Sequence, residues 1–372
     1  MFNLNFKDKY RVVHINNELG NCVVGGAGTY MNEIYKYRPE DMGFVYVNFD
    51  DVYNDMYASD FMDQKDILIM NINEINKLST IDCDLLVVQF YEFAPYITEE
   101  FLRDKNMAYV IHSVPTPEPM PSWDPFGGNN DIRQKFEKLC CMADVLICVS
   151  QAEKDKLINI YPQMKDKTTV VYNGMQCEKN IKNYNYTTSR KKFGFIGRTD
   201  YRKGILECIK EFANLDGELL IACPKNDSEY IEKLLIYICA VGIEDKIKFV
   251  GWCTGDRKEE FFKSIDALII PSLYEPFGYV ALEGMQYGVP LISSRNGGLG
   301  EILEGYKYTY DPYKAGELRT RINEFINDDK EEVTKQQEIL LKRIDEFTVT
   351  KMVNSYNELW DKILKENKND SK

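Results

Sequence analysis

Glu275 and Glu283 stand eight residues apart in "PSLYEPFGYVALEGMQYGVPLISS" (271–294), with Pro276-Phe277-Gly278 between them. The apolar spacing after Gly278 predicts a helix, and eight residues are close to two turns, so both carboxylates fall on a similar face. Each can accept from a pair of hydroxyls. The amides of Gly278, Tyr279 and Val280, at the predicted helix start, can hold an anion between them. A second loop, "GFIGRTDYRKG" (194–204), carries Arg198 and Lys203 between a strand and a helix. Arg offers a planar fork and Lys a point charge, which suits a diphosphate as well as it suits a solvated basic turn. A third, "VVGGAGTY" (23–30), has Gly25, Gly26 and Gly28 but lacks the G-x-G-x-x-G spacing. It reads as a flexible turn or as a place where backbone amides meet a phosphate. Polyol, anion, polyol is the layout of a nucleotide sugar: sugar hydroxyls, diphosphate, ribose hydroxyls.

Open parallel sheets bind ligands at the carboxyl ends of their strands, so these loops need strands directly before them. The short apolar runs "RVVHIN" (11–16), "DLLVVQF" (84–90), "AYVIHS" (108–113), "DVLICVS" (144–150) and "TTVVYN" (168–173) predict buried parallel strands. The alternation resumes with "KFGFIG" (192–197), "GELLIAC" (217–223), "IKFVGW" (247–252), "DALIIPS" (266–272) and "VPLISS" (289–294). Helical patterns lie between, one opening on a capping box at Ser150 and Glu153. Two such runs predict an α/β protein of two doubly wound, Rossmann-like domains. The expected boundaries are 1–175 for the first domain, a polar linker over 176–191, and 192–348 for the second. A closing helix from Val349 to about Lys365 places Met352, Tyr356, Leu359, Trp360 and Ile363 on one face, with a frayed tail after it.

The 372 residues are 44% hydrophobic and 28% charged, as in soluble globular proteins, and carry a formal charge of −13. That balance excludes nucleic acid as a default partner, since phosphate backbones need basic surface. No charged-apolar-small leader at Met1 and no 18-residue apolar stretch is visible, so a cytoplasmic location is expected. Ten cysteines lack a C-x-x-C pair and only His14 and His112 are available, which predicts reduced thiols and no zinc site. Asp82-Cys83-Asp84 has the D-x-D spacing of a metal site but precedes a strand instead of following one, so it reads as a polar lead-in.

The chain resembles the GT-B fold glycosyltransferases of family 4, the retaining, nucleotide-sugar-dependent group 1 enzymes. The resemblance rests on "GFIGRTDYRKG", "EPFGYVALE", "YGVPLISSRNGGLGEIL" (287–303), "ADVLICVSQAEKDKL…VVYNGM" (143–175) and "FTVTKMVNSYNELW" (347–360). It is weakest over residues 40–80. It implies two domains facing a cleft, with the closing helix returning to the first. Arg198 and Lys203 would neutralise the departing diphosphate. Glu275 would contact the transferred sugar near the reacting carbon, and Glu283 the ribose. His112 matches the family's histidine facing the donor sugar, and Gly26 its glycine loop near the phosphates. No metal is implied, because the fixed cations do a divalent ion's work on the leaving group. A UDP-sugar donor is favoured over a GDP-sugar.

The function implied is transfer of a hexose or N-acetylhexosamine to a glycan, protein or lipid-linked acceptor. A same-fold sugar synthase or phosphorylase, and a catalytically silent subunit that binds glycan or steadies a partner, are the competing readings. The Pro-rich run "SVPTPEPMPSWDPFGG" (113–128) offers Trp123 and Phe126 for stacking on an acceptor. Residues 51–100 hold eleven acidic residues against Lys65 and Lys77, a balance that repels anionic lipid. Unaided binding to an anionic membrane is not expected.

Overall fold

The computed structural model describes residues 6–19, 25–49, 65–116, 129–177, 192–224 and 228–370. The linker beyond residue 177, and Trp123 and Phe126, lie outside the described residues. The chain forms two compact units, one drawn from residues up to 176 together with 348–372, the other from 177–347.

The first unit holds a seven-stranded sheet in the order β3-β2-β1-β4-β5-β6-β7. Its strands are β1 (Lys9–Asn16), β2 (Met42–Asn48), β3 (Ile67–Asn71), β4 (Asp82–Val88), β5 (Asn106–Ile111), β6 (Val145–Cys148) and β7 (Thr168–Val170). Every pairing is parallel, with Val13 opposite Leu86 and His14 opposite Val87 at the centre. The apolar, β-branched runs form these strands because parallel strands are covered on both faces, which favours continuous Val, Ile and Leu. β2 and β3 are additions to the sequence reading. β2 is buried over all seven residues, as β11 and β12 are over theirs, but Gly43 and Asn48 shorten its apolar run.

At the capping box, Ser150 Oγ accepts from Glu153 N at 3.1 Å, while the Glu153 carboxylate accepts from Val114 N at 2.8 Å. Asp82 and Asp84, at the start of β4, both pair with Lys9, at 3.8 and 2.9 Å.

The last helix, Val349–Asp370, belongs to this first unit and runs past the expected end at Lys365. Its apolar stripe is buried at Met352, Tyr356, Trp360 and Ile363, with Leu359 half-buried at the margin. The Trp360 ring meets His14 edge-on at 6.4 Å, and Arg11 pairs with Asp361 at 2.6 Å. Burying such a ring contributes about 3–5 kcal/mol relative to alanine.

The second unit holds a six-stranded parallel sheet in the order β10-β9-β8-β11-β12-β13. Its strands are β8 (Lys192–Ile196), β9 (Glu218–Ala222), β10 (Ile247–Phe249), β11 (Ala267–Ile270), β12 (Leu291–Ser294) and β13 (Thr309–Tyr310). From β8 the chain winds outward through β9 to β10, then returns to β11 and winds the other way. The order therefore reverses between β8 and β11, and in the first sheet between β1 and β4. At such switch points adjacent loops leave in opposite directions and open a crevice at the strands' carboxyl ends. The loops singled out in the sequence are the ones that leave β8, β11 and β1.

Candidate active site

In the second unit, β8 ends at Ile196 and the chain passes Gly197 and Arg198 into a 3-10 turn, Tyr201–Lys203. Gly204 follows with φ +66 and leads into the helix Ile205–Phe212. A Cβ on Gly204 would lie 2.0 Å from the Pro271 carbonyl oxygen, so the loops after β8 and β11 meet at van der Waals limits there. They are stitched by Leu273 N donating to Arg202 O at 2.7 Å. The loop after β12 joins them: Asn296 Nδ2 donates to Leu273 O at 2.5 Å, and Gly298 N to Glu275 O at 2.8 Å. Gly297, at φ +75, would place a Cβ 2.2 Å from that same Glu275 oxygen. Three loops separated in sequence thus form one rigid edge.

On this edge Lys203 Nζ lies 2.5 Å from Glu275 Oε2, and the two side chains are 17% and 13% exposed. Burial by itself would raise the Glu275 carboxyl, but Lys203 and then Arg202 outweigh it and hold it below the usual carboxylate range. Glu275 is therefore an anion and an acceptor for hydroxyls. Arg198 is a third of the way exposed and pairs with Asp200 at 3.2 Å. Arg202, adjoining Lys203 in the same loop, is a further cation acting on Glu275 that the strand-and-loop pattern does not single out.

Phe277 and Tyr279 turn their rings into the core, where Phe277 packs edge-on against Tyr279 at 5.2 Å and Phe347 at 5.8 Å. What this stretch offers a ligand is its backbone. Gly278 precedes the helix Tyr279–Gln286, whose first amides include Tyr279 and Val280. Glu283 is the fifth residue of that helix, little more than one turn in, not the two turns expected, because Glu275 lies outside the helix in a bridge to Gly297. The Glu283 carboxylate pairs with Lys258 at 3.0 Å, a partner from the helix Asp256–Ser264 with no signal in local sequence.

In the first unit, Gly26 opens the helix Gly26–Lys36. The flanking amides of Gly25 and Gly28 donate to Glu18 Oε2 at 3.3 and 2.9 Å. A carboxylate of the chain itself lies where the sequence reading expects a phosphate oxygen. His112 follows β5 directly, and its Nε2 sits 2.9 Å from Gln89 Oε1. Gln89 Nε2 in turn lies 2.9 Å from His14 Nδ1.

Desolvation lowers both histidines, His14 fully buried and His112 partly exposed, from the ordinary 6.5 to about 3, so the folded state holds them neutral. The unfolded chain takes up protons on them as pH falls below 6.5, and the folded chain does not. Stability contributed by neutral histidine is therefore complete above pH 6.5 and is lost as pH falls from there toward 3. The slope approaches about 1.4 kcal/mol per pH unit for each ring. Partly buried Glu33 and Glu92 are raised by desolvation and act in the opposite sense, so the measurement starts at pH 6.5, where the histidines begin to titrate in the unfolded chain. Urea midpoints for the first unit's unfolding should fall as pH is lowered from 6.5, and a flat profile would contradict a neutral, buried His14.

Residues 176–339 match the family described as Glycosyl transferases group 1. An uncharacterised glycosyltransferase of Methanocaldococcus jannaschii is 33% identical over 175 residues, 43% of this chain and 44% of that protein. A probable sucrose-phosphate synthase of Thermosipho melanesiensis is 31% identical over 218 residues, 52% of this chain and 50% of that protein. The chain spans about half the length of the curated relatives it matches. Among solved structures, HepE of Anabaena in complex with UDP and glucose aligns with TM-score 0.75 at 17% identity, covering 95% of this chain and 99% of that one. Sucrose-phosphate synthase of Thermosynechococcus elongatus aligns with TM-score 0.77 at 15% identity, covering 97% and 100%. The two parallel sheets are those of the GT-B fold, and residues 176–339 of this chain are similar to the glycosyl transferases group 1 family.

Proposed function

We propose that this chain is a retaining glycosyltransferase that moves a hexose or N-acetylhexosamine from a nucleotide-diphosphate sugar to a glycan, protein or lipid-linked acceptor. The observation that carries the reading is the Lys203–Glu275 pair, 2.5 Å apart at the β8/β11 switch point. Cleavage of the anomeric bond builds positive charge on the sugar and negative charge on the departing diphosphate. Lys203 and Arg198 are assigned to that diphosphate, where a fixed cation favours the transition state over the ground state. The ionised Glu275 is assigned to the sugar's hydroxyls, Glu283 to the ribose, and the amides from Phe277 to Val280 to sugar and phosphate oxygens. His112 is assigned to the donor sugar and the Gly26 turn to the phosphate end, where ligand oxygens would compete with the Glu18 carboxylate for amides. UDP-sugars are favoured as donors, in line with the UDP complexes of HepE. Likeness to sucrose-phosphate synthases supports a second reading, a synthase acting on a small sugar phosphate.

A panel of UDP-, GDP- and ADP-sugars tests this. A true donor at 100 times its Kd stabilises the protein by about 2.7 kcal/mol and should then hydrolyse slowly without acceptor. Absence of any shift or hydrolysis across the panel would end the reading. Transfer should survive excess EDTA, because the cations are supplied by Arg198 and Lys203. Loss with EDTA, restored by Mn²⁺ or Mg²⁺, would transfer the leaving-group role to a metal. No helix among the described residues is long and apolar enough to cross a membrane. The acidic 51–100 stretch supports an acceptor reached in solution or presented by a partner, and pelleting with phosphatidylglycerol vesicles at about 0.15 M salt would reverse that assignment.

A further inference from the structure

Gln89 leaves the carboxyl end of β4 at the switch point of the first sheet, 2% exposed, its amide N–H on Ile15 O at 3.2 Å. Its carboxamide is clamped between the two histidines of the chain, His14 and His112, at 2.9 Å on either side. A carboxamide has one end that only donates and one that only accepts. With the amide nitrogen facing His14 Nδ1, Gln89 Nε2 donates there and the His14 proton is on its own Nε2, which has no partner among the described residues. Oε1 accepts, so His112 Nε2 carries its proton and the lone pair is on Nδ1. The rings are held on other sides as well. His14 stacks on Phe44 at 5.2 Å, and His112 stacks on Phe90 at 5.8 Å with the Tyr30 ring edge-on at 5.1 Å. Neither ring can turn without unstacking, and the two tautomers can change only together, by reversal of the shared amide.

We propose that Gln89 is a positioning residue that locks His112 as its Nε2–H tautomer, presenting Nδ1 as an acceptor for a hydroxyl of the transferred sugar. The proposal rests on the assignment of His112 to the donor sugar. A methionine at 89 would neither donate nor accept and would leave the His112 tautomer unfixed, whereas a glutamate would still accept from His112 and change only what faces His14. Sites built around a buried acceptor discriminate strongly against a substrate that lacks the matching hydroxyl. Deoxy or fluoro donors altered at that hydroxyl are therefore expected to be poor substrates.

Long-range ¹H–¹⁵N spectra of the intact ¹⁵N-labelled protein test the lock directly, because only two imidazoles contribute. At pH 7 without donor, His112 should show a protonated Nε2 and an unprotonated Nδ1. A proton on Nδ1, or averaged nitrogens, would overturn the lock whatever the enzyme's activity, and this measurement needs no variant. With a donor that the wild type turns over, Gln89→Met should give mixed His112 tautomers and lower kcat/KM about 10–100-fold, the loss typical when the partner that orients a functional histidine is removed. Gln89→Glu still accepts from His112 Nε2–H, so it should keep the tautomer and lose less than Gln89→Met. A Gln89→Met protein with wild-type kcat/KM, or a folded Gln89→Glu protein worse than Gln89→Met, would overturn the positioning role. If His112→Ala turns over like the wild type while the spectrum is as expected, the assignment of His112 to the sugar fails and the lock stands as a structural feature.

Discussion

Lys203→Ala is expected to lower turnover by about 10²–10³, the loss typical of one electrostatic donor aimed at developing charge. Two effects combine. The variant removes a cation from the leaving diphosphate, and it takes from Glu275 its nearest partner, 2.5 Å away. Burial then pushes the Glu275 carboxyl upward with only Arg202 to oppose it. Glu275→Gln should also cut turnover, while nucleotide affinity stays close to wild type, because its assigned contacts are to the sugar. The double variant Lys203→Ala/Glu275→Gln should lose far less than the product of the single losses, since the pair acts as one unit. Steady-state hydrolysis of the donor found in the panel, with folding checked by circular dichroism, measures all three. Near-normal turnover in Lys203→Ala would remove the central assignment, and strictly multiplicative losses would remove the coupling.

Gly204→Ala should damage the site more broadly. A left-handed backbone at φ +66 costs a Cβ-bearing residue about 1–3 kcal/mol. In addition, that Cβ would stand 2.0 Å from Pro271 O, so the loops after β8 and β11 must separate. Separation strains the Leu273 N to Arg202 O bond and carries Lys203 away from Glu275. Misplacement by about 1 Å costs on the order of 10²-fold in rate, so turnover should fall at least that far. Gly242→Ala is the matched control: it has φ +71, and nothing lies within 4 Å of its added Cβ. It should lose only the conformational part of the stability and keep its activity. Equal melting temperatures and equal rates for the two variants would show that the close approach of the loops is unimportant.

Much of this architecture is legible residue by residue. Ten apolar, β-branched runs predict ten of the parallel strands, because a strand covered on both faces needs such side chains whatever its neighbours are. The stripe at Met352, Tyr356, Trp360 and Ile363 announces a helix that must be covered, because its period is a local property. Arg198, Lys203 and Glu275 can be picked out because charged groups directly after strands fall at the ligand-binding edge of an open sheet. β2 is less legible, since Gly43 and Asn48 leave only a short apolar run between them.

Pairings between segments far apart in the chain arise only when the sheets assemble. Strand order brings the loop of Lys203 against that of Glu275, 72 residues later, and turns two separate charges into one pair. It sets Lys258 on Glu283, lays the Glu18 carboxylate across the amides of Gly25 and Gly28, and threads Gln89 between His14 and His112. No periodicity encodes these contacts. A side chain's local pattern records how deeply it is buried, whereas its charge state, tautomer and hydrogen-bond partner depend on groups that only the folded sheets bring within about 3 Å.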